Sequence, residues 1–267
     1  MVKFRSSIYR DPDGYRWVDF GEIYPGAPDD ERIYLQAVGH DRLINSDGVD
    51  IFKYRYDPFI EEPALFRIFA SLPADQHAIL EFANQYGDLA TYSELHKDGG
   101  LSLEGWTSSI SYLRSQIEQI KELTSSIPAS RRASTKHIED LTVLINEILS
   151  SSTTQLDVEV TPTGMRLQIT ALSLLDVIYV QFVLAIVENK TYRNCEQCQK
   201  PFEVTPQINR ADRIFCSDNC RVKSYQRRKR QAIAMRLEGR SMREIAKETN
   251  SNMKTVRNWV SGLEEKE

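Results

Sequence analysis

The sequence is poor in cysteine and histidine, with four of each among 267 residues, and it lacks the motifs of common catalytic centres. It contains no H-E-x-x-H metalloprotease motif, no P-loop, no nucleophile elbow and no carboxylate cluster with an evident role. The four histidines are scattered and lie far in sequence from the cysteines. We therefore expect that the protein is not an enzyme. An active site of unrecognised type in the N-terminal part remains the alternative.

Long apolar runs are also lacking. Residues 1–7 are polar and have no apolar core of a signal peptide. The most apolar stretch, residues 171–187, is at the short limit for crossing a bilayer and contains Asp176 and Gln181. Ser173 and Asp176 have the spacing of a capping box, so this stretch predicts a buried core helix. We expect no membrane partner and a cytoplasmic location.

The net charge of −4 conceals a division between the two ends of the chain. Residues 1–189 hold 16 basic and 28 acidic side chains, a net charge of −12. Residues 190–267 hold 18 basic and 10 acidic side chains, a net charge of +8. Such asymmetry indicates nucleic-acid binding by the basic end and predicts an association with the nucleoid.

The acidic part, residues 1–190, predicts an α+β domain of mostly helices with short antiparallel strands. The first 60 residues have strand-like alternation and a hairpin signal at Asp47-Gly48. Helices are predicted from Pro63, from Pro73 to Gly87, over residues 102–123 and 135–149, and over the apolar stretch. A β-hairpin is predicted around residues 161–164.

Helix 102–123 carries one continuous apolar stripe, which either faces the core or mediates dimerisation. Its members are Trp106, Ile110, Leu113, Ile117, Ile120 and Leu123. Helix 135–149 has a similar apolar face of Ile138, Leu141, Ile145 and Ile148. We expect the whole domain to sense a small-molecule or protein effector, to form a homodimer or to recruit a partner.

All four cysteines fall within 26 residues, as the pairs Cys195/Cys198 and Cys216/Cys220. These C-x2-C and C-x3-C spacings are typical of a tetrahedral zinc site, and without a secretory signal they favour metal over disulfides. Four thiolates leave no open coordination position for water, so one structural Zn²⁺ is expected.

The segment between the cysteine pairs predicts a treble-clef zinc finger over residues 191–226. The first pair would form a knuckle, followed by a strand from Phe202 and a returning strand over residues 213–215. The last pair would begin a helix capped by Ser217 or Asp218. Phe202 and Phe215 are expected to pack beside the metal.

Residues 215–221, Phe-Cys-Ser-Asp-Asn-Cys-Arg, and the following Tyr225-Gln-Arg-Arg-Lys-Arg resemble the zinc finger of the bacterial CGNR-type, or ABATE-like, family. Residues 79–87 and 173–181 are also similar to that family. The resemblance implies a regulator of transcription. The chain has Cys220-Arg-Val-Lys where the family has Cys-Gly-Asn-Arg, so no role of that asparagine carries over.

Residues 227–267 predict a basic linker followed by a three-helix helix-turn-helix. Gly239 ends a first helix that begins at Ala232, or one long helix over residues 218–237. Ser241 and Glu244 form a capping box for the second, Asn250 suits the turn and Asn252 caps the third. The pattern Gly-x-Ser-x-x-Glu-Ile-Ala, then Thr-Val-x-x-Trp, resembles resolvases, invertases and many transcription factors.

Double-stranded DNA is the expected partner of this end of the chain. Val256, Trp259 and Val260 would pack on Ile245 and Leu237, which leaves the polar side of the third helix for the major groove. Lys254 and Asn258 are the expected base readers. The other expected DNA contacts are Met253, Thr255, Arg257, Arg243, Arg227, Arg228, Lys229 and Arg230.

The resulting hypothesis is a zinc-containing, sequence-specific DNA-binding protein that regulates transcription. A non-catalytic protein that binds RNA or another protein through the same modules is the alternative, because one fold serves many partners.

Overall fold

The computed structural model describes residues 3–6, 8–11, 13–19, 22, 32–37, 55–89, 101–125, 135–162, 164–205 and 212–264. The chain forms two compact units, Met1–Thr191 and Tyr192–Glu267. The described residues contain both helices and short, mainly antiparallel strands, which confirms the α+β class.

The strands of the first unit are β1 (Lys3–Ser6), β2 (Ile8–Tyr9), β3 (Tyr15–Asp19), β4 (Ile33–Ala37), β5 (Arg55–Tyr56), β6 (Thr154–Thr161) and β7 (Gly164–Ala171). Its helices are α1 (Pro58–Glu61), α2 (Leu65–Ser71), α3 (Gln76–Tyr86), α4 (Leu103–Ser125), α5 (Thr135–Ser150) and α6 (Leu174–Val187). The second unit contains β8 (Tyr192–Asn194), β9 (Pro201–Glu203), α7 (Asp218–Leu237), α8 (Met242–Glu248) and α9 (Met253–Glu264).

Helix α6 lies in the core of the first unit, as its uniform hydrophobicity predicts. Its two polar residues are both satisfied within the protein. Asp176 completes the predicted capping box with Ser173 and also accepts a hydrogen bond from the backbone N–H of Thr153. Gln181 donates to the carbonyls of Pro58 and Glu62, and its Oε1 accepts from the N–H of Phe66. Gln181 thereby joins the end of α1 to the start of α2.

Helix α4 faces the core of its own unit. Trp106, Ile110 and Leu113 have no exposed surface, and Ile120 is buried. The Trp106 ring lies 6.3 Å from that of Phe69 and 6.0 Å from that of Phe82, measured between centroids. Of the two alternatives for this apolar stripe, core packing and dimerisation, the structure shows core packing.

The predicted hairpin is present as β6 and β7, which pair antiparallel from Thr154↔Ala171 to Thr161↔Gly164. Strand β1 adds to β7 in parallel, with Lys3 aligned to Gln168 and Ser6 to Ala171. The resulting sheet has the order β1-β7-β6, so β1 and β6 are its two edge strands.

Several sequence predictions for this unit need correction. Helix α2 begins at Leu65 rather than at Pro63, and the proline that opens a helix is Pro58 of α1. On α5 the buried side chains are Leu144 and Ile148, while Ile138 is 56% exposed. The Asp47-Gly48 turn lies outside the described residues.

Candidate metal centre and surrounding helices

The first cysteine pair lies in the turn between β8 and β9, which pair antiparallel from Tyr192↔Glu203 to Asn194↔Pro201. The N–H of Cys195 donates to the Lys200 carbonyl at 2.9 Å, and the N–H of Gln199 donates to the Cys195 carbonyl at 2.9 Å. Gln199 has a φ of 60°, in the left-handed region, which closes this tight turn. The turn places Cys195 and Cys198 on one side.

The second pair lies at the start of α7. Ser217 is the N-cap of this helix, and its hydroxyl accepts a hydrogen bond from the N–H of Cys220 at 3.2 Å. Of the two predicted caps, Ser217 is therefore the one used. Cys216 precedes the helix and Cys220 sits in its first turn, so the helix start fixes both sulfurs.

The predicted strand over residues 213–215 is wrong, because this segment is irregular and β9 pairs with β8 instead. A backbone hydrogen bond from the Glu196 N–H to the Ile214 carbonyl, at 3.1 Å, joins the two cysteine-bearing segments. Arg213 holds the irregular segment: it donates to the carbonyls of Phe215 and Cys216. Sequence reasoning missed this arginine, since nothing local distinguishes it from its basic neighbours.

The four sulfur atoms form one cluster, with all Sγ atoms within 4.8 Å of one another. The Sγ atoms of Cys198 and Cys216 are 3.6 Å apart, and those of Cys216 and Cys220 are 3.5 Å apart. All four cysteines are free thiols. Four sulfurs bound to one Zn²⁺ at about 2.3 Å lie about 3.8 Å apart, so the cluster has nearly the size of such a site.

The thiols do not ionise equally. Burial raises the pKa of Cys195, but backbone N–H groups of Cys216, Cys198 and Gln197 outweigh it and lower the pKa to about 6. Burial and the neighbouring thiols raise the pKa of Cys216 to about 12, and burial also raises the pKa of Cys198. A cation at the centre would stabilise all four thiolates together. The cluster is thus a possible metal site.

Apolar and cationic groups surround the cluster. Cys195, Phe202 and Val204 form a small buried core, against which Phe215 packs as the sequence predicts. The Arg213 guanidinium lies 5.5 Å from the centre of the Phe202 ring. Its positive charge lies where it can offset part of the negative charge of the thiolates.

Helix α7 runs without interruption from the cysteine cluster to a core of three helices, as the long-helix alternative predicts. Ala232 of α7 is buried together with Ile245 of α8 and Val256, Trp259 and Val260 of α9. The predicted packing of Leu237 is wrong, because its side chain is 73% exposed. Two positions earlier on the helix, Met235 packs against this core instead.

The ends of these helices have the predicted local chemistry. Gly239, at φ +80°, ends α7, and the N–H groups of Gly239 and Arg240 donate back to the carbonyls of Arg236 and Met235. Ser241 and Glu244 form the capping box of α8.

Asn250 makes the turn between α8 and α9 with a φ of 46°. The Asn252 side chain then accepts from the N–H of Thr255 at 2.8 Å, which caps α9. This is the position and the role predicted for Asn252.

Helix α9 has one buried and one exposed side. Lys254, Arg257 and Asn258 are exposed, and their i, i+3, i+4 spacing places them on one face. Met253 and Thr255 are half-buried beside that face, and Arg243 of α8 is exposed. The three-helix core therefore presents a basic and amide-bearing surface to solvent.

The basic run 227–230 is part of α7 and not an irregular linker. Successive helical side chains point about 100° apart, so the four cannot face one surface together. Arg227, Lys229 and Arg230 are exposed, whereas Arg228 is half-buried. Its Nε is buried without a hydrogen-bond partner among the described residues. Arg228 lines a cleft of about 340 Å³ that also contacts Glu248 and Asn250.

No helix in the described part of the chain is long and apolar enough to cross a membrane. No family model, curated protein or solved structure matches this chain.

Proposed function

We propose that this protein is a zinc-containing, sequence-specific DNA-binding protein that regulates transcription. The observation that carries the proposal is the continuity of α7. One end of this helix holds Cys220 in the cysteine cluster, and the other end buries Ala232 in the core from which α9 presents its polar face. A metal bound at the first end would fix the direction of the whole helix.

The metal of this proposal is one Zn²⁺ held by Cys195, Cys198, Cys216 and Cys220. Sulfur ligands select zinc over Mg²⁺ or Ca²⁺, and a closed set of four thiolates suits a structural site. The turn of Cys195, the β8–β9 hairpin and the helix that carries Cys220 correspond to the parts of a treble-clef finger. In this role the ion stabilises the fold and binds no substrate.

Helices α7, α8 and α9 correspond to the three helices of a helix-turn-helix, with α9 as the recognition helix. In that arrangement the N-terminal residues of the recognition helix meet base edges in the major groove. Lys254 can donate to guanine, and the Asn258 amide can pair with the adenine edge through two hydrogen bonds. Both side chains are exposed on the same face of α9.

Phosphate contacts would hold this helix in the groove. The proposed phosphate contacts are Thr255 and Arg257 on α9 and Arg243 on α8, while Arg227, Lys229 and Arg230 extend the positive charge along α7. Met253 would contribute an apolar contact at the start of α9. The net charge of +8 over residues 190–267 supplies the long-range attraction to DNA. Such a protein would act at the nucleoid.

The first unit would regulate the second by binding an effector or a partner. Its charge is strongly negative, so we assign no DNA contact to it.

The test is a selection of bound duplexes from a random DNA library with the zinc-loaded full-length protein. We expect enrichment of a defined sequence. Lys254→Ala and Asn258→Ala should each reduce discrimination at one base position by about 1–3 kcal/mol. Lys136→Ala, which removes an exposed lysine from α5 in the other unit, is the control and should leave the sequence preference unchanged.

Two outcomes would contradict the proposal. Equal or tighter binding of single-stranded RNA over a range of salt concentrations would favour the RNA-binding alternative. If Lys254→Ala and Asn258→Ala lowered affinity for all duplexes equally, α9 would contact only the phosphate backbone.

A further inference from the structure

The β6–β7 hairpin has two chemically different faces. Cross-strand partners point to the same side of a sheet, so Leu156↔Ile169, Val158↔Leu167 and Val160↔Met165 form one entirely apolar face. The pairs Asp157↔Gln168 and Glu159↔Arg166 form the opposite, polar face. We call the first the apolar hairpin face.

The polar face makes its own contacts within the hairpin. The Thr170 hydroxyl donates to Asp157 Oδ2 at 2.6 Å, across the two strands. The side chains of the apolar face cannot form such hydrogen bonds. They are stabilised by burial away from water.

The apolar hairpin face is exposed along most of its length. The exposed fractions are 71% for Leu156, 60% for Val158, 78% for Val160, 78% for Met165 and 48% for Leu167. Five such side chains expose on the order of 600 Å², at the upper end of the largest apolar patch of a typical monomer. A stable interface buries roughly 800 Å² on each partner, so this face supplies most of one.

The face begins in the core of the first unit. Ala171, at the end of β7, is buried, and Phe4, which is aligned with Ile169, contacts Phe59 of α1 with ring centroids 5.9 Å apart. From there the apolar face continues outward to the tip of the hairpin. The apolar hairpin face is thus the solvent-exposed continuation of the hydrophobic core and not a set of scattered surface residues.

We infer that the apolar hairpin face binds the same face of a second copy of this chain. An isologous dimer places one patch on itself, and a patch without charge or hydrogen-bonding side chains is complementary to itself. A charged partner would find no counter-charge on this face. An anionic membrane surface would be repelled by residues 1–189, whose net charge is −12.

Face-to-face stacking is favoured over pairing along the free edge of β6. Antiparallel pairing of two β6 strands centred on Val158 would place Asp157 opposite the partner's Glu159, and like charges directly opposite destabilise a sheet. Stacking of the apolar faces turns these carboxylates away from the interface.

The apolar hairpin face belongs to the first unit, and dimerisation through it does not depend on DNA binding by the second unit. We therefore assign the homodimer interface to this hairpin and not to α4, because the apolar stripe of α4 already packs in the core of the first unit. A dimer of this kind would carry two DNA-binding units.

The test is the oligomeric state of the zinc-loaded full-length protein by analytical ultracentrifugation without DNA. We expect a monomer–dimer equilibrium for the native chain. The double variant Val158→Thr/Leu167→Thr should weaken the dimer by roughly a hundredfold or more, because four apolar side chains are lost per dimer. Threonine keeps a high strand propensity, so the hairpin is expected to persist.

The matched control is Glu159→Thr/Arg166→Thr, a cross-strand pair on the polar face of the same strands. It should leave the dimer dissociation constant within about twofold of the native value. A native chain that stays monomeric at 100 times the protein concentration of the DNA-binding assays would overturn the inference. So would a dimer that is equally strong in both double variants.

Hydrogen exchange of the native chain provides a second measurement that does not depend on how the variants fold. Amides of β6 and β7 near the tip should become more protected as the protein concentration rises through the dissociation constant. Concentration-dependent protection elsewhere, with none at the hairpin, would place the interface on another surface.

Discussion

The indole N–H of Trp259 on α9 donates a hydrogen bond to the hydroxyl of Tyr225 on α7 at 2.8 Å. The two rings meet edge to face, with centroids 5.4 Å apart and an angle of 75° between their planes. Tyr225 lies five residues after Cys220. This pair therefore connects the helix that exposes Lys254 and Asn258 to the part of α7 nearest the cysteine cluster.

We expect Tyr225→Phe to lower the free energy of unfolding of the Tyr192–Glu267 unit by about 1 kcal/mol. The ring contact survives, but the indole N–H of the buried Trp259 side chain loses its acceptor. Tyr225→Ala should cost more, because the edge-to-face contact is also lost. Native-state hydrogen exchange of the amides of α7 to α9 is the measurement, since it reports on this unit and does not use Trp259 as a probe.

A double-mutant cycle with Trp259→Phe separates the hydrogen bond from the other effects of each change. A coupling energy of about 1 kcal/mol between Tyr225→Phe and Trp259→Phe is expected. Additive effects would show that the bond contributes nothing to stability.

Metal removal should unfold the second unit. Structural zinc sites bind with about 10–16 kcal/mol, which matches or exceeds the total stability of a small domain. Chelation, or Cys220→Ser, should therefore abolish stoichiometric zinc and reduce the helical circular dichroism of α7 to α9. Zinc content by mass spectrometry of the native protein checks the identity of the ion.

Asn219→Ser is the control for this experiment. Position 219 is exposed in the first turn of α7, next to Cys220, but it offers no thiolate. The variant should keep one zinc per chain and its helicity. Retention of zinc and structure by Cys220→Ser would refute a four-thiolate site.

The two arginines Arg228 and Arg230 of the basic run on α7 differ in exposure. Arg230 is exposed, while Arg228 is half-buried and lines the cleft beside Glu248. If Arg230 contacts a DNA phosphate, Arg230→Gln should reduce the slope of log K against log salt concentration by about one unit, where K is the DNA-binding constant. Arg228→Gln should leave this slope unchanged.

The two variants remove the same charge, so each is the control for the other. Equal slopes for Arg228→Gln and Arg230→Gln would mean that helix geometry does not decide which arginine meets DNA. Fluorescence anisotropy at four or five salt concentrations resolves a difference of one unit.

Local features of the second unit and of the helices were accessible from sequence because their causes are local. The capping boxes at Ser173 and Ser241, the helix end at Gly239 and the turn at Asn250 each depend on a few neighbouring residues. The sequence predicts helix α4 over residues 102–123, and the helix spans Leu103–Ser125. This prediction is accurate because the apolar residues recur at helical spacing over several turns.

Pairings between distant segments were not accessible in the same way. Strand β1 pairs with β7, which lies more than 160 residues later in the sequence. A strand of four residues is too short for its sequence pattern to indicate which strand it pairs with. The strand expected over residues 213–215 failed because β8, which precedes the cysteines, already pairs with β9. Hydrophobicity alone predicts that Leu237 lies in the core, but α7 instead buries Ala232 and packs the partly buried Met235 against that core.

Asp176 is a buried carboxylate that serves in the capping box of α6. Its Oδ1 accepts from the N–H of Thr153 at 2.7 Å, and its Oδ2 accepts from the N–H of Ser173 at 2.9 Å. Asn at this position keeps one acceptor and turns an NH₂ group towards the other N–H. We expect Asp176→Asn to destabilise the first unit by about 1–3 kcal/mol in denaturant unfolding.

The pH dependence of that loss is the sharper observation. Burial raises the pKa of Asp176, and the hydrogen bonds from Thr153 and Ser173 only partly oppose it. The native state then holds its proton more tightly than the unfolded chain does, so this residue adds stability as the pH falls from neutral towards its ordinary pKa near 3.8. The asparagine variant lacks this contribution. The difference in unfolding free energy between the native chain and Asp176→Asn should therefore be larger at pH 5 than at pH 7. A difference that shrinks at pH 5 would mean that the hydrogen bonds, rather than burial, dominate the pKa of Asp176.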